Sequence, residues 1–292
     1  MATSTVSLDE LRRRIDEIDD QMHDLIMQRA EVVEAIAGTK KRGKVPVVRP
    51  GREALILRRL VGRHRGRFPR AVMVRLWREL ISGTVAIQGD FTVAVCVPED
   101  RPGYWDLARD HYGSHASMVA YHSVGEVLRA LAEGRAAAGV LPMPIEGERD
   151  PWWQLLAVSG ASAPRVMARL PFAGRGNARG DDGDVLVVGY ADPDPTGDDR
   201  SLIVIEAHRE LSRARLIAAL KDAGLPVTFF VAHEPDVEVA WNLVEIDDLV
   251  TAGDSRVQKA LKPLGERILR VAPIGGYARP FAPAALADAS EE

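Results

Sequence analysis

At 292 residues, with 46% hydrophobic and 27% charged side chains, the chain is long enough for two or three domains with ample cores. Its single cysteine, Cys96, excludes internal disulfides and a cysteine metal cluster; the seven histidines show no metal-ligand spacing and no glycine-rich phosphate loop occurs, so no metal or other cofactor is expected. The formal charge of −4 is unevenly divided: residues 1–90 carry 18 Lys+Arg against 12 Asp+Glu and the remainder 20 against 30, so the basic front suits a small anionic ligand or nucleic acid.

The N-terminal MATSTVSLDELRRR has no apolar signal segment and no stretch approaches a membrane span, so the cytoplasm is the expected location and no membrane partner is expected. Residues 7–40 carry the longest unbroken pattern. Leu11, Ile15, Ile18, Met22, Leu25, Ile26, Val32, Val33 and Ile36 predict a helix with one apolar stripe, about 45 to 50 Å long. Ser7 and Glu10 form a capping-box start. Such a rod needs a partner helix, from this chain or from a second copy. Arg12, Arg29 and Lys40 lie beside the stripe rather than opposite it. Arg29 and Lys40 return to nearly the same face about 16 Å apart, whereas Arg12 is some 25 Å from Arg29 and about 100° round the helix. One chain cannot bring Arg12 to their ligand; an antiparallel second copy can. Solvated basic residues on a coiled coil would show the same pattern.

Gly43 and Pro46 mark a loop, and a second helix follows that should end near Gly62. A third carries Pro69 in its first turn and Val72, Leu76, Leu80 and Ile87 as its inner stripe. Arg52 and Glu53 open the second helix, while Thr84 and Gln88 share a face of the third. The basic loop GRHRGRFPR lacks interleaved aromatics and any reading motif, so no nucleic-acid partner is expected.

The set Arg12, Arg29, Lys40, Arg52, Glu53, Thr84 and Gln88, with LRRRIDEID at the start, Arg29-Ala30-Glu31 and a Pro-Val before the second helix, resembles the all-helical chorismate mutases over nearly all of residues 7–90. Arg49 departs from the pattern, which commonly has an aspartate there. The resemblance implies a three-helix intertwined homodimer acting on chorismate, a dianion that rearranges through a compact pericyclic transition state with negative charge growing on its ether oxygen. It assigns Arg29, and Arg12 from the other subunit, to the two carboxylates, Lys40 and Gln88 to the ether oxygen, Glu53 to the ring hydroxyl, and Arg52 and Thr84 to support. Holding the reactive conformer and placing donors where charge grows would be the whole of the catalysis. Because Gln88 cannot titrate, turnover should depend little on pH between about 6 and 8.

From Phe91 the pattern changes to α/β alternation: FTVAVCV, YWDLARDHYG, SMVAYHS, VGEVLRALAEG and AAAGVLPM. This resembles the dehydratase domain of prephenate dehydratases, but with most of its site residues replaced. Only Pro98 and Glu99 remain in the first loop, Pro144-Ile145 stands in the second, and Asp184-Val185-Leu186 replaces a threonine-arginine-phenylalanine motif. The span from Gly147 to Val185, roughly half or less of a second lobe, includes GRGNARGDDGD, which reads as a flexible loop. Residues 201–278 run strand, helix, strand, strand, helix, strand and resemble an ACT regulatory domain, closing on GGYARP.

The expected architecture is therefore multidomain. An all-α mutase domain spans 1–90, a truncated, periplasmic-binding-like α/β dehydratase-like region 91–198, an α+β ACT-like domain 199–279 and a disordered tail 280–292. The expected function is chorismate mutase in aromatic amino-acid biosynthesis, with an amino-acid effector possible at the ACT-like domain. The alternatives are a bifunctional chorismate mutase and prephenate dehydratase, and a non-catalytic metabolite-binding regulatory protein.

Overall fold

The computed structural model describes residues 6–40, 48–158, 160, 163–180, 183–235 and 237–287, with the side chains of Thr39 and Lys40 outside that description. Helix α1 spans Leu8–Lys40. The Ser7 hydroxyl accepts from the Glu10 amide at 3.2 Å, while the Glu10 carboxylate is taken by Arg13, so only half of the capping box forms. Helices α2 (Pro50–Arg63) and α3 (Arg70–Gln88) follow. The loop expected at Gly43 and Pro46 lies outside the described residues. Of the predicted stripe on α1, only Ile26 and Val33 lose exposure, and α1 packs on α3. The rest stays open in the single chain, with Ile15 57% and Leu25 63% exposed.

Helix α3 corrects the expected inner stripe. Its buried face is Met73, Val74, Arg78, Ile81 and Val85, whereas Val72, Leu76 and Ile87 are exposed. The helix is apolar on two sides, and the one that wins packs on the α/β body; the other lies toward α1, whose Arg29 reaches the Leu80 carbonyl. Pro69 is the N-cap, one position before the first turn.

The body is one nine-stranded sheet in the order β2-β1-β3-β5-β4-β9-β6-β8-β7. Its first part holds β1 (Thr92–Cys96), β2 (Ser117–Tyr121), β3 (Ala138–Pro142), β4 (Arg165–Leu170) and β5 (Val185–Gly189), with helices α4 (Gly103–Tyr112), α5 (Val124–Ala132) and α6 (Trp153–Val158). Its second part runs β6 (Asp199–His208), α7 (Arg213–Asp222), β7 (Val227–His233), β8 (Val239–Ile246), α8 (Ser255–Leu261), a 3-10 turn (Lys262–Arg267) and β9 (Ile268–Ala278). These last four strands, ordered β9-β6-β8-β7 and antiparallel throughout, make a βαββαβ unit of the split-βαβ kind.

Strand side chains alternate between the faces, as the period of two requires. Val93 and Val95 pack with Leu107, Ile81 and Val85, whereas Ala94 and Cys96 pack with Val127, Ala130 and Trp153. On the second part Ile203 and Ile205 meet Leu216 of α7 and Val257 of α8, while Leu202 and Val204 share the face that holds Leu156 of α6. Buried at 2% exposure, Cys96 has its thiol pushed up to about 11 by desolvation, so it is a core group rather than a nucleophile.

Neither α6 nor β4 is expected from the sequence. β4 pairs with β5 and, at Val166 opposite Gly275, with β9, which makes the two parts one sheet. The glycine-rich loop is also tied down where it is described: the Arg179 amide and guanidinium both donate to Asp106, at 2.9 and 2.8 Å. Nor is the segment after Pro280 free along its length. Phe281 stacks edge-on against Phe172 at 5.3 Å, its amide donates to the Phe172 carbonyl, and α9 (Pro283–Leu286) follows. One aromatic anchor outweighs the alanine-rich composition on which the expectation of a disordered tail rests; residues 288–292 lie outside the described residues.

The seam depends on Gly275. Its φ is +127° and an added Cβ would stand 2.3 Å from the Val166 carbonyl oxygen, whereas a Cβ on Gly62 in α2 would meet nothing within 4 Å. Gly275→Ala should cost about 3 kcal/mol or more, and Gly62→Ala should add about 0.5 to 1 kcal/mol. Urea denaturation of the two variants would check this pair of opposite signs.

Candidate active site

The three front helices enclose an open cleft of about 230 Å³. Arg29, Val33 and Ile36 come from α1, Arg52, Glu53 and Ile56 from α2, and Ile81, Thr84, Val85 and Gln88 from α3, with Arg49 at the entry to α2. Five of the seven residues singled out in the sequence thus meet in one place: Arg29, Arg52, Glu53, Thr84 and Gln88. Lys40 ends α1, but its side chain lies outside the described residues. Arg12 does not line the cleft; it is exposed and donates to Asp9 at 3.4 Å.

Each group has a local reason for its position. Arg29 donates to Thr84 Oγ1 at 3.3 Å and to the Leu80 carbonyl at 3.5 Å, and its partial burial lowers its pKa from the ordinary value, though a guanidinium stays charged. Thr84 is fixed by its hydroxyl against the Leu80 and Ile81 carbonyls at 3.1 and 2.9 Å. Gln88, one turn on, donates to the Thr84 carbonyl at 3.1 Å. The wall of Val33, Ile36, Ile56, Ile81 and Val85 keeps the polar groups in a partly dry setting, where each donor acts more strongly on an anion than it would in water.

Arg49, where the sequence departs from the resemblance, is exposed and makes a bidentate pair with Asp194, at 2.6 and 3.1 Å. Asp194 lies in the segment leading into β6 and also covers Gly51, where a Cβ would meet its Cβ at 2.6 Å. Arg58 adds a second clamp, donating to Thr196 Oγ1 and to the Asp198 and Arg279 carbonyls at 2.8 to 2.9 Å. Thus α2 offers Arg52 and Glu53 to the cleft while its other side is bolted to the body.

Sequence reasoning missed Arg78. This arginine is 5% exposed, donates to Glu53 Oε2 at 2.7 Å and lies over the Phe172 ring at 5.3 Å. The signal was present: Arg78 falls on the face of Val74, Ile81 and Val85, and a cation inside an apolar helical stripe needs a buried partner. Burial pushes the Glu53 carboxyl up, with Arg78 opposing it; burial pushes Arg78 down, with Glu53 opposing it. The neighbouring His111 is held well below its ordinary 6.5, first by burial and then by the Arg78 charge.

Among the described residues no cluster of His, Cys, Asp and Glu could hold a metal ion, and no described helix is long and apolar enough to cross a membrane.

The cleft between the three helices thus gathers the guanidinium groups of Arg29, Arg49 and Arg52 with Glu53, Thr84 and Gln88. Residues 11–89 match the profile of the family chorismate mutase type II. A bifunctional chorismate mutase/prephenate dehydratase from Pseudomonas aeruginosa is 32% identical over 141 residues, 47% of this chain and 38% of the relative's length. One from Neisseria gonorrhoeae is 26% identical over 358 aligned positions, 93% of this chain and 98% of the relative. Among solved structures, prephenate dehydratase from Arthrobacter aurescens in complex with L-Phe superposes with a TM-score of 0.47 at 15% identity, covering 65% of this chain and 92% of that one. The chain is a helical mutase-type segment followed by an α/β part with prephenate dehydratase homology.

Removing Arg78 leaves a buried carboxylate unpaired, so Arg78→Met should destabilise by about 3–5 kcal/mol, and the double variant with Glu53→Leu should recover most of that loss. Denaturation midpoints of the three variants complete the cycle. His111 supplies a pH signature. Below 6.5 the unfolded chain takes up a proton that the folded chain refuses, so stability falls as pH drops through 6.5 toward the lowered folded value. His111→Phe should flatten that slope in melting temperatures measured between about pH 7.5 and 5.5.

Proposed function

We propose that the chain is a chorismate mutase, rearranging chorismate to prephenate, with the α/β body serving as its support and as a regulatory part. The observation that carries this reading is the meeting of Arg29, Arg52, Glu53, Thr84 and Gln88 in one partly apolar cleft. The reaction requires no proton transfer and no covalent intermediate. Arg29 binds one substrate carboxylate, with Arg52 and Thr84 holding it in place, and the fixed fork of a guanidinium suits that task. Gln88 and Lys40 donate to the ether oxygen as its negative charge grows. Glu53 gives Oε2 to Arg78 and Oε1 to the ring hydroxyl, so Arg78 is the positioning residue that keeps this carboxylate charged and aimed.

The second carboxylate goes to Arg12 of a second copy. The open apolar side of α1, from Leu11 and Ile15 to Leu25 and Ile36, is more than a soluble monomer leaves uncovered, and an antiparallel copy would cover it while carrying Arg12 across. Behind the mutase helices, residues 199–279 form an ACT-like unit whose βαββαβ order fits an amino-acid effector site. The second reading is a bifunctional mutase and prephenate dehydratase, favoured by the alignment with the Neisseria gonorrhoeae relative over 93% of this chain. That alignment is longer than the chain itself, so the relative carries segments this chain lacks. Where they would supply a second lobe, α6 and β4 run directly on.

Incubation with chorismate at neutral pH should yield prephenate that accumulates. Phenylpyruvate as the product would decide for the bifunctional reading, and no turnover of bound chorismate would decide against both. Arg29→Ala should lower kcat/KM by about 100-fold or more. Arg12→Ala and Arg29→Ala, each inactive alone, should regain about a quarter of wild-type activity after mixing and subunit exchange, because half the dimers are then mixed and each has one intact site.

A further inference from the structure

The departure at Arg49 falls inside the candidate cleft, at the entry to α2 with Arg52, Glu53 and Ile56. It stands one turn before Glu53, whose amide donates to the Arg49 carbonyl at 3.1 Å. Its side chain is 47% exposed, but Nε and Nη2 are both engaged by the two oxygens of Asp194, and two parallel bonds fix the plane of a guanidinium. Asp194 is seated in its turn: its Cβ and carbonyl oxygen occupy the space that a side chain on Gly51 would need. Nη1 has no partner among the described residues. The segment between β5 and β6 thus holds a guanidinium at the cleft and leaves one of its nitrogens to donate.

A ring hydroxyl brought to Glu53 has one proton and two lone pairs. The carboxylate answers the proton. In a partly dry cleft the lone pairs need a donor as well, since a polar atom that loses water without a replacement weakens binding, and a carboxylate has no hydrogen to give. We propose that Arg49 is the specificity-determining residue for this hydroxyl, donating from Nη1 to its oxygen while Glu53 accepts its proton, and that Asp194 is the positioning residue that holds Arg49 there. The inference rests on the mutase reading and names what selects its substrate. An amino group in place of the hydroxyl is protonated near neutral pH, has no lone pair with which to accept, and meets the guanidinium charge. Arg49 therefore admits the hydroxyl and turns away the ammonium, a selection that Glu53 alone, as a carboxylate, would not make.

Steady-state kinetics of the full chain at about pH 6.5, where such an amine is protonated, test both roles with chorismate and with the analogue that carries an amino group for the ring hydroxyl. Wild type should favour chorismate in kcat/KM by about tenfold or more. Arg49→Met should erase that preference and raise the KM for chorismate about tenfold with kcat within about threefold, because the hydroxyl is bound alike in the ground and transition states. Asp194→Asn should erode the preference about threefold, and the double variant should be no worse than Arg49→Met, since Asp194 acts only through Arg49. Arg49 caps α2 without a side-chain hydrogen bond and its ion pair is exposed, so melting temperatures should move by no more than about 3 °C. A wild type that favours the amine, or a preference unchanged by Arg49→Met, overturns the selection and leaves the mutase reading standing. An Asp194→Asn loss that adds in full to that of Arg49→Met overturns the positioning role. A wild type that turns over neither substrate overturns the mutase reading and this one with it.

Discussion

Two opposite charges taken out of water together, Glu53 on α2 and Arg78 on α3, set much of what surrounds them. Moving either ion alone into the interior would cost several kcal/mol, about the whole stability of a small domain, so the pair forms only if both helices are held in one register. That register is fixed from the body. Phe172 lies under Arg78, Asp194 takes Arg49 and fills the space over Gly51, and Arg58 is bound by carbonyls from the strands' ends. The cleft inherits its geometry from this arrangement, because Arg52 and Glu53 are consecutive on the clamped helix.

The body answers a related constraint. Its two parts, α/β before Asp199 and βαββαβ after it, could each have ended in an edge strand, and an open edge is an invitation to wrong pairing. β4 removes both edges at once by lying between β5 and β9, and Gly275 permits the close approach. Across this join runs a buried network in which Glu245 accepts from Arg169 of β4, Arg200 of β6, Thr228 of β7 and Tyr277 of β9. A polar network that joins five strands, Glu245 itself being on β8, fixes their relative positions far more narrowly than apolar contact would.

How much of this was legible in the sequence follows from whether the determining contact was local. The three front helices, the β1 to β3 alternation and the rear strand–helix order rest on periodicity and caps within short windows, and they were readable. The residues that line the candidate cleft were readable in the same way, since Thr84 and Gln88 are one turn apart and Arg52 adjoins Glu53. What escaped was decided by contacts between distant segments. Periodicity could not say which of two apolar faces of α3 the body would cover, nor that β4, with two arginines in six residues, would be central in a sheet because Arg165 reaches the Pro273 carbonyl and Arg169 reaches Asp184 and Glu245. Phe281, a single aromatic in an alanine-rich stretch, carried too little local signal to outweigh its neighbours.

The face of α1 that remains open follows from the same division. In this chain α1 turns Ile26, Arg29, Ala30 and Val33 toward its neighbour and leaves Leu11, Ile15, Ile18, Met22 and Leu25 to water, so the helix is apolar on more sides than one chain can bury. An excess of that kind is costly unless something covers it. The cleft has a parallel deficit on the proposed reading: a dianion needs two carboxylate partners, and the cleft-lining residues of this chain place Arg29 for one while Arg12 stands some 25 Å along the rod. Surplus apolar surface and a missing cation lie on the same helix, and one antiparallel copy of that helix would answer both. On that proposed reading, a rod too long for its own domain is what would let each site be completed by the other chain.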